Sequence, residues 1–143
     1  MGPSPSEVFR LLLRGVTERR WSELPELYAE DTVVRHPFLR YGGPVLHGRE
    51  EVRAHFAAAA ELPLEMRARD VVIHETSDPE VVIGEFRYVG RFTDTGREFS
   101  TTNIFVTRVR HGLIVESRDY ADHLNFAAAA GRLGELLGEF APA

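Results

Sequence analysis

Apolar residues recur at helical spacing in the first part of the chain and at alternating spacing through most of the rest. Val8, Phe9, Leu12, Leu13 and Val16 share one face of a helix. Ser4-Pro5-Ser6-Glu7 supplies its start, with Ser4 as the cap, Pro5 at the first position and Glu7 folding back onto the cap. Ser22 reads as the cap of a second, short helix through Leu24, Leu27 and Tyr28. Asp31 to Phe38 reads as a strand stopped by Pro37, which has no N–H for a ladder. After a loop at Tyr41-Gly42-Gly43-Pro44, Gly48 introduces a third helix. Glu50 and Glu51 sit in its first turn, where the dipole favours acids, and Val52, Phe56 and Ala59 form its buried stripe.

From Leu64 the period changes. Turns at Ser77-Asp78-Pro79, Asp94-Thr95-Gly96 and His111-Gly112 divide β-branched and aromatic runs into four strands, roughly 64–75, 80–92, 97–109 and 113–122. Connections this short exclude parallel crossovers, so the four form an antiparallel meander. Across residues 124–140 helical spacing returns with Phe126, Ala129, Leu133, Leu136, Leu137 and Phe140. Gly131, Gly134 and Gly138 each cost about 1 kcal/mol there against alanine, so this segment must lean on a neighbour. Helices ahead of a meander, with no linker or repeat, define an α+β chain, read as one domain over residues 1–143 with its core at about 6–123.

The last strand holds the first candidate chemistry. Leu113, Val115, Ser117, Asp119 and Ala121 fall on one face, and Ile114, Glu116, Arg118, Tyr120 and Asp122 on the other. If the first face looks inward, Asp119 is a carboxylate in a dry wall, where desolvation raises its pKa. Gly112 suits the left-handed position of a three-residue hairpin loop. That register sets Val109 opposite Leu113, Phe105 opposite Ser117 and Asn103 opposite Asp119, so Asn103 shares the inner face. One strand back, Phe86, Tyr88 and Phe92 alternate inward, leaving Glu85 and Arg87 as a solvated or interface pair.

Composition narrows the partners. A net charge of -5, with basic residues scattered and nearly all arginine, argues against nucleic acid. No run approaches the roughly 20 apolar residues of a membrane span, and the N-terminus lacks the apolar core of a secretion signal, so no membrane partner is expected. Met1-Gly2 with Ser6 formally fits an N-acylation pattern that Pro3 disfavours. The absence of cysteine removes thiolate chemistry and fits a reducing compartment, so the cytoplasm is the expected location. No HxH or HxxxH spacing points to a metal, and no phosphate or dinucleotide loop points to a cofactor, so neither is expected.

Several stretches match a known family. Leu27-Tyr28-Ala29-Glu30-Asp31-Thr32-Val33-Val34-Arg35-His36-Pro37-Phe38 resembles the opening signature of SnoaL-like proteins. Val45-Leu46-His47-Gly48-Arg49-Glu50-Glu51-Val52-Arg53-Ala54-His55-Phe56 is similar to their second signature helix. Thr95-Gly96-Arg97-Glu98-Phe99, Gly112-Leu113-Ile114-Val115 and Arg118-Asp119-Tyr120-Ala121-Asp122 resemble the later motifs, in the same order. The resemblance implies the nuclear transport factor 2-like fold: a curved antiparallel sheet wrapped around helices as a cone with a deep pocket, commonly a homodimer. Its members include ketosteroid isomerases, polyketide cyclases, epoxide hydrolases and binding proteins without chemistry.

Within that fold, His36 stands just before the proline where ketosteroid isomerases place a general base, and Asp119 resembles the last-strand aspartate of the SnoaL-like cyclases and of the epoxide hydrolases. Leu12 occupies the place of the isomerases' first-helix tyrosine, and Glu85-Phe86-Arg87 reverses the Arg-x-Asp order that the hydrolases need. The expected catalytic pair is therefore Asp119 and His36. The expected ligand is a hydrophobic small molecule, held by Asn103, Tyr88, Phe105, Ser117, Phe86, Trp21 at the helix corner (foremost a packing residue) and His123 at the mouth. The expected reaction is proton abstraction alpha to a carbonyl without a cofactor. The competing readings are a dimeric binding module and an epoxide hydrolase.

Overall fold

The structure is a computed structural model that describes residues 2–142, so Met1 of the acylation pattern lies outside the described residues. Helix α1 (Pro5–Thr17) starts as expected: the Ser4 hydroxyl accepts from the Glu7 N–H, and the Glu7 carboxylate accepts from the Ser4 N–H. The chain continues through β1 (Tyr28–Arg35), β2 (Leu46–His47), α2 (Arg49–Ala60), β3 (Leu64–Glu75), β4 (Val81–Phe92), β5 (Glu98–Arg110), β6 (Leu113–Tyr120), α3 (His123–Ala129) and α4 (Leu133–Phe140). The six strands form one curved, open sheet in the order β2-β1-β6-β5-β4-β3.

Helices α1 and α2 pack into the concave side of this sheet. Val8, Phe9, Leu12, Leu13 and Val16 are buried, as the helical stripe predicts. Phe9 meets Phe86 and Phe105 edge to face at ring separations of 5.7 and 6.3 Å. Gly84 of β4 admits that ring: a β-carbon on Gly84 would fall inside it. Phe86 therefore belongs to the core under α1, at the closed end of the sheet's hollow.

Several expectations need correction. Only a single 3₁₀ turn, Leu24–Leu27, follows Ser22, and Ser22 does not cap it; Glu23 precedes the turn without a side-chain bond. Tyr28 opens β1, so that strand begins three residues before Asp31 and ends at Arg35, before Pro37. The sheet is mixed and not wholly antiparallel, because β1 lies parallel to β6. Hairpins force opposite directions on β3 to β6, but more than half of the chain separates β1 from β6, so either direction is open to them. The final segment is two helices, broken where Gly131 adopts a left-handed φ of 74°.

The last hairpin differs most instructively. His111 and Gly112, at φ 52° and 76°, form a two-residue turn with both central residues left-handed, which matches the sheet twist better than a three-residue loop. Arg110 therefore pairs with Leu113. Next, β6 carries one extra residue, Val115, between the Val109–Ile114 and Arg108–Glu116 pairs. This bulge turns Ile114 into the core, fully buried, where strict alternation put it outside. Turn and bulge each shift the register by one, so Phe105, not Asn103, stands opposite Asp119, and Thr107 opposite Ser117. Two shifts restore parity: Asn103, Phe105, Ser117 and Asp119 all stay on the inner side.

Candidate active site

A cavity of about 570 Å³ opens between the two helices and the inner sheet face, with α3 and α4 along its rim. Its wall is largely apolar, built from Leu12 and Val16 of α1, Val52 and Phe56 of α2, Val34 of β1 and Phe105 of β5. Aromatic and aliphatic walls with few polar groups are the usual make-up of a small-molecule site.

Asp119 projects from β6 into this cavity, and its remaining exposure is onto the hollow. The Ser117 hydroxyl donates to its Oδ1 at 2.6 Å, and Thr107 Oγ1 lies 3.0 Å from the same Ser117 oxygen. Since the one Ser117 proton goes to the carboxylate, Thr107 is the donor to Ser117. Ser117 is thus buried beneath Asp119 and positions it; it does not reach the cavity wall, contrary to expectation. Burial pushes the Asp119 carboxyl up to about 6, opposed by the Ser117 hydrogen bond and then by the field of His36. Ser117→Ala is therefore expected to raise the Asp119 titration further, read from its side-chain carbon by ¹³C NMR. An unmoved midpoint would mean that the hydroxyl does not stabilise the charged form.

Two phenols share the surroundings of this carboxyl. Tyr28 and Tyr88 are both pushed well above the ordinary tyrosine range, first by burial and then by the negative charge of Asp119. They remain protonated and so remain hydrogen-bond donors throughout the neutral range. Tyr88 is the wall residue that alternation along β4 predicts. Tyr28 is missed by sequence reasoning because it was assigned to a helix. The signal is its phase with Thr32, Val34 and His36, but an irregular pairing with β6 between Tyr28 and Val33 obscures it.

His36 follows β1 and lines the same cavity, its Nδ1 3.3 Å from the Pro44 carbonyl oxygen. Its ring centre is 5.7 Å from that of His55 on α2 and 6.4 Å from that of His123 at the start of α3. His55, beside the Val52–Phe56 stripe, is a weaker candidate in the sequence and is not among the expected site residues, yet it lines the cavity. Burial, then His36, draws both flanking imidazoles below the ordinary histidine range, while Asp122 opposes the shift at His123. His55 is an exposed residue of α2, so water screens the effect there.

The remaining expected residues divide. Trp21 lines the cavity, stacked on Phe56 at 6.1 Å, and its Nε1 is buried with no partner among the described residues. Asn103 also reaches the wall, but its amide donates to Thr101 Oγ1 at 3.2 Å and accepts the Asp122 N–H at 3.0 Å. It ties β5 to the turn before α3. Phe105 and His123 line the cavity, whereas Phe86 does not. Glu85 and Arg87 lie on the outer face and do not pair with each other; they bond His74 and Asp70 of β3. Among the described residues no group of three or more His, Asp or Glu is arranged to hold a metal ion, and no helix is long and apolar enough to cross a membrane.

Comparison with known proteins places this geometry in context. The profile of the SnoaL-like domain matches residues 9–117. An uncharacterised PhzA/B-like protein of Pseudomonas aeruginosa is 33% identical over 121 residues, spanning 84% of this chain and 83% of its own. Among solved structures, a Bacillus subtilis protein provisionally named an isomerase superposes with a TM-score of 0.81 at 24% identity, covering 90% of this chain and 93% of its own. A Pseudomonas putida protein provisionally named a polyketide cyclase superposes with a TM-score of 0.75 at 14% identity, covering 90% and 98%. These two likenesses carry the fold.

Proposed function

The chain belongs to the SnoaL-like domain family, and from that premise we propose that it is an acid–base enzyme of the isomerase or cyclase type, acting on a hydrophobic carbonyl compound. One observation carries this reading: a carboxyl raised to about 6 faces an apolar cavity beside two phenols that stay protonated. A base with a pKa near the working pH combines proton affinity with a sizeable ionised fraction.

In the proposed step, ionised Asp119 takes a proton from the carbon alpha to a carbonyl. The C–H electron pair becomes the enolate double bond, and negative charge builds on the carbonyl oxygen. Tyr28 and Tyr88 donate hydrogen bonds to that oxygen, in a dry site where such bonds are strongest. Asp119 then returns the proton to another carbon, which isomerises the substrate. Alternatively, the enolate carbon attacks a second carbonyl of the same molecule and closes a ring; the π electrons of that carbonyl move to its oxygen, which takes the proton back from Asp119. His36 favours the ionised form of Asp119 and is placed to pass a proton at the mouth.

The test is deuterium exchange from D₂O into the alpha positions of 2-tetralone and of a cyclic 1,3-diketone of similar size, followed by NMR. The wild-type protein is expected to accelerate exchange, with a rate that rises with pH through an inflection near 6, because only the ionised carboxylate accepts a proton. Exchange with wild-type protein no faster than with Asp119→Asn, for both compounds, removes the reading.

A further inference from the structure

Three imidazoles meet on one side of the cavity, delivered by three separate elements: His36 after β1, His55 from α2 and His123 at the start of α3. Every imidazole carries at least one N–H that needs an acceptor or one lone pair that needs a donor. His36 has the Pro44 carbonyl opposite Nδ1, whereas Nε2 of His123 is buried with no partner among the described residues. Close rings also oppose one another's protonation, in line with the downward displacement of His55 and His123. An anion seated among the rings would accept the free N–H and reverse that opposition.

Most of the charged groups that face the cluster are otherwise engaged. Asp122, ahead of α3, accepts from the Asn125 backbone N–H at 3.1 Å and from its side-chain amide at 2.7 Å. Arg132 pairs with Glu135 at 3.1 Å on the rim, and Glu139 lies farther along α4. Asp119, across the cavity on β6, accepts from Ser117. We propose that His36, His55 and His123 form a binding subsite for a carboxylate, so that the substrate is a hydrophobic carboxylic acid whose reacting C–H group lies beside Asp119. The second half rests on the function proposed above; the first half stands on the three rings alone. A planar carboxylate accepts from two rings at once, while Val16, Phe56 and Phe105 take the carbon skeleton. Binding draws a proton onto the cluster, so affinity falls as pH rises through the imidazole range.

Trp21, the single tryptophan of the chain, lines the cavity and reports occupancy by fluorescence. The probes are 2-naphthoate and its uncharged methyl ester, titrated at about pH 5.5 and about pH 8. The acid is expected to bind about tenfold tighter at the lower pH, and the ester equally at both. Calorimetry in buffers of different ionisation heat is expected to show proton uptake with the acid alone. The acid's pH dependence persists in Asp119→Asn, since it comes from the imidazoles and not from ionisation of Asp119. His55→Gln combined with His123→Gln abolishes the preference for acid over ester and keeps ester binding. Equal wild-type affinity for acid and ester at both pH values overturns the proposal, as does acid binding without proton uptake. A pH dependence that vanishes in Asp119→Asn, or a double variant that keeps the preference, also overturns it. None of these readouts needs turnover, so the subsite stands or falls separately from the chemistry of Asp119.

Discussion

On the function proposed above, Asp119→Asn is expected to slow alpha-proton exchange by about a thousandfold and, at neutral pH, to make the protein more stable. The kinetic half follows from the loss of the proposed general base, since positioned general bases contribute about 10²–10⁴-fold. The stability half follows from linkage. The folded carboxyl titrates at about 6 against an ordinary 3.8, so between those values the folded protein holds a proton that the unfolded chain has released. Stability from this group is full below about 4, declines as pH rises through the window, and stays lower above about 6. The cost at pH 8 is about 2 kcal/mol after allowance for the part of the carboxyl open to the cavity. Urea unfolding of both proteins at about pH 4 and about pH 8 checks this: the asparagine variant gains only at the higher value. Equal differences at both would mean that Asp119 is not held in its neutral form by burial. Stability given up at a reactive group is a common mark of a working site.

Gly84→Val is expected to cost about 3 kcal/mol or more. Phe9 is fully buried and is held edge to face by Phe86 and Phe105, so its ring has no free direction in which to retreat. A β-carbon at Gly84 would occupy that ring's own space, forcing α1 off the sheet or the ring off its rotamer. Phe9→Ala alone leaves a cavity and costs about 3–5 kcal/mol. Combined with Gly84→Val the two losses should not add, because valine fills space the ring vacates; the cycle is expected to show about 1–3 kcal/mol of favourable coupling. Chemical denaturation of the four proteins measures it, and simple additivity would place the Phe9 ring away from Gly84.

Much of the site was legible because a strand's period of two assigns faces before it assigns neighbours. Asp119 and Asn103 were placed on a common inner face through a turn that was one residue too long and without the bulge at Val115. Each difference moves the register by one and would alone have exposed Asn103, yet together they preserve its side. Ile114, which lies between turn and bulge, shows the cost: alternation put it outside and it is fully buried. Phe86 and Phe105 were indistinguishable by alternation, because both point inward. Only the position of Phe9 covers one of them and leaves the other on the cavity.

Taken alone, the amino-acid order determined α1 and α2 by their apolar stripes and first-turn residues, the four strands of the meander by alternation between turn residues, and the face that the last-strand acid shares with Ser117. Those are local matters, decided by backbone geometry within a few residues. Tertiary structure decided what shares the cavity with that acid: two phenols from β1 and β4, a hydroxyl pair beneath it, and three imidazoles from segments far apart in the chain. Neither a desolvated carboxyl nor a cluster of rings exists until the sheet curves around α1 and α2, because burial and proximity belong to the packed molecule and to no single stretch of it.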